Sequence, residues 1–114
     1  MKTKDLIGPA LNWAVGDSEF KRLIAEGAHV KQWVLDQHNE GLRTDPYSTN
    51  WLFGGPIIER EGIHLYVDES KLEWVSSCWG HQSAYHGPTP LIAAMRCFVA
   101  SKLGDAVTVP EALL

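Results

Sequence analysis

The sequence predicts an α+β domain in which a small antiparallel sheet, formed by a hairpin plus short edge strands, packs against two or three helices with the C-terminal helix at the centre. Two observations predict this class. Apolar residues recur at helical spacing near both ends of the chain, and two β-favouring segments joined by a short polar turn lie between them. No repeat, low-complexity tract or linker interrupts this order, so we expect residues 1–114 to form a single globular domain.

The first quarter of the chain has two apolar patterns of helical spacing with Gly16 between them. Proline lacks the backbone donor that a helix interior uses, so the first helix either kinks at Pro9 or begins there. We expect Gly16 to end this helix. Asp17 or Ser18 would then cap a second helix that ends at Gly27.

The middle of the chain has weaker local signals. Residues 28–37 fit a short helix or a strand, and we favour a strand because Trp and Val are β-favouring. Turn-forming residues then mark a loop from Asn39 to Tyr47. Pro56 is expected to begin a single helical turn that ends at Gly62.

The segments "IHLYV" and "LEWVSSC", separated by "DESK", predict an antiparallel hairpin. Side chains alternate along a strand, which places Ile63, Leu65 and Val67 on one face and His64 and Tyr66 on the other. The following "GHQSAYHG" is expected to be a loop.

The C-terminal helix is the most clearly marked element of the chain. Thr89 suits its N-cap, Pro90 its first turn and Gly104 its end. One stripe of large apolar residues is expected to face the core: Leu91, Met95, Phe98 and Val99. Arg96 and Lys102 are expected to be exposed, and "AVTVP" after the helix is expected to form a short final strand.

Composition and charge argue against several classes of protein, among them nucleic-acid-binding, membrane and disulfide-rich secreted proteins. A net charge of -4 argues against broad nucleic-acid binding, which depends on clustered basic residues. No apolar run approaches the roughly 18 residues that a membrane span needs, and the start lacks the apolar stretch of a secretory signal, so we expect a cytoplasmic protein without membrane contact. Cys78 and Cys97 are too few for a disulfide framework and are expected to be reduced. We expect no cofactor.

Cys78, His81 and His86 form a C-x2-H-x4-H pattern, and thiolate and imidazole are the ligands that zinc prefers. A closed structural site needs a fourth ligand, which would have to come from His64 or another distant residue. The ordinary interpretation is a buried thiol at a strand end and two loop histidines. The alternative is a small metal-binding domain, or an enzyme with a Cys/His nucleophile, centred on these three residues.

The segment "STNWLFGGPIIEREG" has three interpretations. In the simplest it is a corner anchored by Trp51, in which Gly55 adopts a positive φ. In the second the Gly54 and Gly55 amides bind an anion, although Glu59 and Glu61 add negative charge nearby. The third is a protein-contact surface, which we predict from these residues and a loop tryptophan further along: Trp51, Phe53, Gly54, Gly55, Ile57, Arg60 and Trp79.

Two long segments, "STNWLFGGPIIEREGI" and "GPTPLIAAMRCFVASKLGDAVTVP", resemble the signature blocks of the phage NinX-like family, and "LNWAV" near the start resembles its N-terminal block. The resemblance implies a phage or prophage origin and a small soluble domain, and it brings no catalytic residues. Asn12 and Asn50 stand where the family usually carries an acidic residue, and the apolar pair Leu52 and Phe53 also departs from its pattern.

These observations favour a non-enzymatic protein-interaction module in the cytoplasm of a bacterial host, with a host or phage protein as its partner. Arg60 lies in sequence beside aromatic residues that we expect to be exposed. It is therefore expected to anchor the partner and to contribute little to folding.

Overall fold

The computed structural model describes residues 1–80 and 83–114. Its helices and strands run in this order: α1 (Gly8–Ala25), α2 (Gln32–Asn39), α3 (Trp51–Glu61), β1 (His64–Asp68), β2 (Glu73–Ser77), β3 (Tyr85–Gly87) and α4 (Pro90–Leu103). Short 3-10 turns lie at Thr3–Asp5 and Glu111–Leu113. The three strands form one antiparallel sheet in the order β1-β2-β3, and α4 packs against it. The predicted α+β class is confirmed.

The C-terminal helix α4 is the centre of the core, as predicted. The Thr89 hydroxyl caps it by accepting a hydrogen bond from the amide of Ile92 at 3.1 Å, and Gly104 follows its last turn. The helix packs against all three strands and against α1 and α3. The predicted apolar stripe is buried throughout: Leu91, Met95, Phe98 and Val99.

The exposure predicted for Arg96 on α4 is wrong. Its side chain is half-buried, and its Nε and Nη1 atoms each donate a 2.8 Å hydrogen bond, to the carbonyl oxygens of Leu6 and His86 respectively. Lys102 is exposed, as predicted. Helical spacing alone could not separate these two residues, because Arg96 is covered by segments that are far from it in the sequence.

The predicted hairpin is confirmed as β1 and β2, with Leu65 opposite Ser76 and Val67 opposite Trp74. Ile63 is buried and Leu65 packs against the core, whereas Val67 is about half exposed where β1 runs past the core.

The loop predicted for "GHQSAYHG" is wrong at Tyr85–Gly87, which pair with β2 as the edge strand β3; His81 and Gln82 lie outside the described residues. Three residues are too few to show alternation. Position 87 requires glycine because β3 lies very close to α4 there. A Cβ would lie 2.6 Å from the Ala93 backbone nitrogen at the start of α4.

The N-terminal region contains one long helix where two were predicted. α1 has Pro9 in its first turn, which agrees with the alternative that the helix begins there and does not kink. The helix then continues through Gly16 to Ala25. An interior glycine costs about 1 kcal/mol relative to alanine. The apolar face of the helix offsets that cost by burying a row of residues: Leu11, Trp13, Ala14 and Val15. Asp17 caps nothing and instead pairs with Lys21 and His38.

The strand favoured for residues 28–37 is wrong, because Gln32–Asn39 form helix α2. Long-range contacts hold the end of this helix. The His38 ring stacks on Trp13 at 4.8 Å, and the Trp13 indole donates a 2.6 Å hydrogen bond to the His38 carbonyl. A strand here would have needed a neighbouring strand to satisfy its backbone, whereas a helix satisfies its own.

Helix α3 begins five residues before the predicted start at Pro56. Asn50 caps it, with its Oδ1 accepting from the amide of Leu52 at 2.9 Å. Pro56 is therefore inside the helix, and the end predicted at Gly62 is confirmed by its left-handed φ of 63°. Gly55 is helical and lacks the positive φ predicted for it.

The final strand predicted for "AVTVP" is reduced to a single β-bridge between Lys2 and Ala106. Val107 and Val109 still alternate into the core. The segment has the side-chain pattern of a strand, but only one residue of the N-terminal segment forms a ladder pair with it.

Candidate functional site

The exposed side of α3 carries two of the predicted contact residues, one at each end of the helix. The Trp51 ring covers Gly55, where a Cβ would lie 3.8 Å from the ring, and the Trp79 ring covers Gly62 at the same distance. The two covered positions, 55 and 62, are seven residues apart, about two helical turns and roughly 10 Å, so the two rings lie on one side of the helix. We call Trp51, Leu52, Gly55, Glu59 and Trp79 the α3 face.

The α3 face exposes an unusual amount of apolar side chain. Trp51 is 54% exposed, Leu52 77% and Trp79 88%. Trp51 and Leu52 are the first residues after the Asn50 cap, so the backbone that carries them is held in place. Sequence reasoning identified the two tryptophans but did not place Leu52 beside them.

Three other predicted contact residues face inward. Ile57 is buried in the core, and Phe53 is half-buried with its ring edge-to-face against Tyr47 at 5.9 Å. Gly54 lies where α3 meets α4, and a Cβ there would be 2.5 Å from the Tyr47 carbonyl oxygen and 2.6 Å from Leu91 Cδ2. These residues hold α3 against the core and thereby position the exposed tryptophans.

The anion-binding interpretation of the double glycine loses its basis. The Gly54 amide already donates to the Asn50 carbonyl oxygen at 3.0 Å. Gly55 lies one residue deeper in the same helix. Since α3 begins at Trp51, neither glycine occupies the first turn, where helix amides are free to bind an anion.

Arg60 is bound within the protein. Its Nη2 and Nη1 atoms contact the two carboxylate oxygens of Glu19 at 2.5 and 3.2 Å, and its Nε contacts Glu61 at 3.1 Å. Burial by itself would lower the pKa of Arg60, but the hydrogen bonds to Glu19 and Glu61 outweigh it and raise the pKa. The guanidinium lies 5.8 Å from the centre of the Phe98 ring. Arg60 is thus tied to α1 and to the core.

Further ion pairs connect the Arg60–Glu19 contact between α3 and α1 to helix α4. Lys102 Nζ lies 2.8 Å from Glu61, and Arg22 lies 3.0 Å from Glu19. Burial by itself would raise the pKa of Glu61, but hydrogen bonds from Lys102 and Arg60 outweigh it and lower the pKa. The resulting network joins α1, α3 and α4. The sequence offered no signal for it, because Glu19 and Arg60 are 41 residues apart.

The two described residues of the predicted Cys/His cluster, Cys78 and His86, do not lie together. Cys78 and Cys97 are free and buried, as expected, and the neighbouring Cys97 thiol, together with burial, raises the pKa of Cys78. His86 pairs with Val75 across the sheet, three residues and therefore about 10 Å along the strand from Cys78. Cys78 and His86 line different cavities.

The metal-binding hypothesis depends in addition on His81, which lies outside the described residues. Among residues 1–80 and 83–114, no group of three or more His, Cys, Asp or Glu side chains is arranged to hold a metal ion.

None of the helices within the described residues is both long enough and apolar enough to cross a membrane. In comparisons with known proteins, a family model with the description "Bacteriophage P22, NinX" matches residues 2–102. The match extends from the first 3-10 turn into the last turn of α4 and includes the whole of the α3 face. No curated protein shows a significant match to the chain.

Proposed function

The chain belongs to the bacteriophage P22 NinX family, and on that premise we propose that this phage accessory protein acts by binding another protein through the α3 face. A non-enzymatic role, a prophage as well as a phage source, and a location in the cytoplasm of the bacterial host are parts of the same proposal. The partner would be a host or phage protein.

The exposure of Trp51 and Trp79 on one side of a single helix carries the proposal. Leaving large aromatic rings in water forgoes roughly 25 cal/mol per Å² of apolar surface, which a partner would recover by covering them. Tryptophan is also the residue type most enriched among those that dominate binding energy at protein interfaces.

The rigidity of α3 supports the proposal further. The helix is capped by Asn50 and packs closely on α4 at Gly54, and the Arg60–Glu19 contact ties it to α1. A surface held in one conformation loses little entropy when it binds. Arg60 therefore has a role different from the predicted anchor: it fixes the helix that presents the tryptophans.

The chemistry of the partner follows from the charge between the two rings. Glu59 is exposed, and no cation among the described residues lies within 4 Å of its carboxylate. A complementary surface would present two apolar pockets roughly 10 Å apart with a lysine or arginine between them.

The alternative, a metal-binding domain or enzyme centred on Cys78, His81 and His86, has less support. Cys78 faces a second buried thiol, while His86 lines a separate cavity next to Glu73. No observation on the described residues favours it.

The test is affinity capture from a lysate of phage-infected host cells, comparing the unmodified protein with a Trp51→Ala/Trp79→Ala variant. We expect a specific partner to be captured by the first and lost by the second. Trp33→Ala is the matched control, because Trp33 is 55% exposed but lies on α2. Retention of every partner by the double variant would refute the α3 face as the contact surface, as would equal loss with Trp33→Ala.

A further inference from the structure

A cavity of about 620 Å³ lies between the N-terminal segment, the edge strand β3 and α4. It shares no residue with the α3 face. Its volume lies within the range of about 300 to 1,000 Å³ that is usual for small-molecule sites. Three permanent cations line it, Lys2, Lys4 and Arg96, and His86 lies on its β3 side.

Arg96 lies in this cavity without an ion pair to a described residue, although the negative charges of Asp5 and Glu73 act on it from a longer distance. The carbonyl oxygens of Leu6 and His86 orient its guanidinium through two 2.8 Å hydrogen bonds, but they carry no charge. Within residues 1–80 and 83–114, no carboxylate lies within 4 Å of it, and burial lowers the pKa of Arg96. A partly buried guanidinium fixed in this way is ready to bind an external anion.

Lys2 and Lys4 also lack a carboxylate within 4 Å in the described part of the chain. The backbone that carries them is anchored. Between them, the Thr3 amide donates to the Asp105 carbonyl oxygen at 2.9 Å, and the Thr3 hydroxyl donates to the Gly104 carbonyl oxygen at 2.7 Å. The backbone that carries the two lysines is therefore fixed at the cavity wall, while both residues are exposed.

Elsewhere on the molecule, Lys21, Arg22, Arg60 and Lys102 all form ion pairs. The basic groups of the network that joins α1, α3 and α4 have carboxylate partners within the protein. Those of the cavity have none within 4 Å among the described residues. Exposed Lys31, Arg43 and Lys71 also form no ion pair there, so what distinguishes the cavity is that it brings three unpaired cations together.

Acidic groups limit which anions would fit. Glu73 and Asp105 also line the cavity, so its three cations exceed its carboxylates by one. Glu73 lies 4.0 Å from His86 Nδ1, beyond hydrogen-bond distance, and this buried nitrogen has no hydrogen-bond partner in the part of the chain that the structure describes. A ligand that placed an oxygen near His86 Nδ1 and an anionic group near Arg96 would give the nitrogen a hydrogen-bond partner and the guanidinium an opposite charge.

We propose that this cavity binds a small phosphate monoester, with its phosphoryl group held by Arg96, Lys2 and Lys4 and its organic part within reach of His86. Three cations suit a phosphoryl group better than a carboxylate, because the phosphoryl group carries a charge of about -2 at neutral pH and has three acceptor oxygens. The cavity has more room than the phosphoryl group alone requires.

The test is a titration of the full chain, followed by amide NMR shifts and calorimetry at low salt, with adenosine monophosphate and inorganic phosphate as probes. We expect saturable shifts at residues 2–4, 86 and 96. A Lys2→Ala/Lys4→Ala variant should keep its fold and weaken binding by at least about tenfold, which corresponds to roughly 1.4 kcal/mol of binding free energy.

A Lys31→Ala/Lys71→Ala variant is the matched control, since it removes the same charge from exposed positions outside the cavity. Unchanged affinity in this control would confirm that the cavity binds the probe. Equal weakening in both variants would show unspecific charge attraction and overturn the proposal, as would an absence of saturable shifts. Acetate binding as tightly as phosphate would overturn the choice of a phosphate ester.

Discussion

Arg60 on α3 contacts both carboxylate oxygens of Glu19 on α1, although the two residues are 41 positions apart in the sequence. The same guanidinium lies over the buried ring of Phe98. Two contacts between a planar guanidinium and a carboxylate are stronger than a single surface ion pair. The pair therefore fixes α3, and with it the α3 face, to the rest of the molecule.

We expect Arg60→Ala to lower the free energy of unfolding by about 1 kcal/mol, the upper end of the range for partly exposed ion pairs. This expectation replaces the near-neutral effect predicted from the sequence. Urea unfolding of Arg60→Ala, Glu19→Gln and the double variant measures the coupling directly. The double variant should be less destabilised than the sum of the single ones.

Arg43→Ala serves as the control for Arg60, because Arg43 is exposed and forms no ion pair with the described residues. Its stability should change by less than about 0.5 kcal/mol. Strict additivity of the Arg60 and Glu19 variants would contradict the coupling seen in the structure.

The two neighbouring glycines of α3 should respond differently to alanine. At Gly54 a Cβ would lie 2.5 Å from a backbone oxygen, so Gly54→Ala must move α3 away from α4 and should cost about 2 kcal/mol or more. At Gly55 the nearest atom to a Cβ, apart from those of its chain neighbours, is 3.8 Å away. The helical backbone favours alanine, but a Cβ before Pro56 disfavours the helical conformation, so Gly55→Ala should change stability by less than about 1 kcal/mol.

Thermal melts of the two alanine variants, recorded side by side, test this pair of expectations. Each glycine is the control for the other, since the substitution and the helix are the same. If Gly55→Ala proved the more destabilising, the close contact between α3 and α4 at Gly54 would be wrong.

Asn12 should prove essential for stability through its side-chain oxygen. Its buried Oδ1 accepts from the Ser48 amide at 2.9 Å and from the Ser48 hydroxyl at 2.7 Å. Asn12→Ala leaves both donors without a partner and should cost about 2 kcal/mol in unfolding free energy. Asn12→Asp keeps an acceptor in place and should cost less, in agreement with the acidic residue that the family resemblance implies at this position.

Denaturant unfolding at neutral pH ranks the two Asn12 variants. An Asp variant less stable than the Ala variant would contradict this expectation, because burying the charge would then cost more than the two hydrogen bonds contribute.

Asp17 should make stability depend on acid pH. Its carboxylate lies 3.0 Å from His38 Nε2 and 2.8 Å from Lys21 Nζ. Burial by itself would raise the pKa of Asp17, but the hydrogen bonds from His38 and Lys21 outweigh it and hold the pKa below its ordinary value of 3.8. A depressed folded-state pKa gives stability that is complete above the ordinary pKa and is lost as the pH falls through the folded value.

Asp17→Asn should therefore be less stable than the unmodified protein at pH 6, and the difference should shrink below about pH 4. Urea unfolding across this range measures it. Glu59→Gln is the control, because its exposed carboxylate has no cation within 4 Å in the described residues, and its stability difference should stay flat. A constant difference for Asp17→Asn would contradict the depressed pKa.

Local sequence signals were sufficient to predict the elements whose boundaries are marked by their own residues. Helix α4 follows the predicted cap at Thr89 and the predicted end at Gly104, and the hairpin follows the alternation of "IHLYV". In these segments the boundary residues and the apolar period indicate the same element. Propensity and packing agree there, so the fold class and the central helix could be read from the sequence.

Tertiary contacts decided the rest, because they outweigh local preferences of about 1 kcal/mol per residue. Burial of one face of α1 carries that helix through Gly16, and the stacking of His38 on Trp13 holds α2 as a helix in spite of its β-favouring residues. The candidate sites depend even more on long-range contacts. The sequence indicated Trp51 and Trp79 as contact residues, but only the packing of α3 places their rings on one face. In the same way, only the fold brings Lys2, Lys4 and Arg96 to one cavity, because charges that are distant in sequence meet only when the chain is packed.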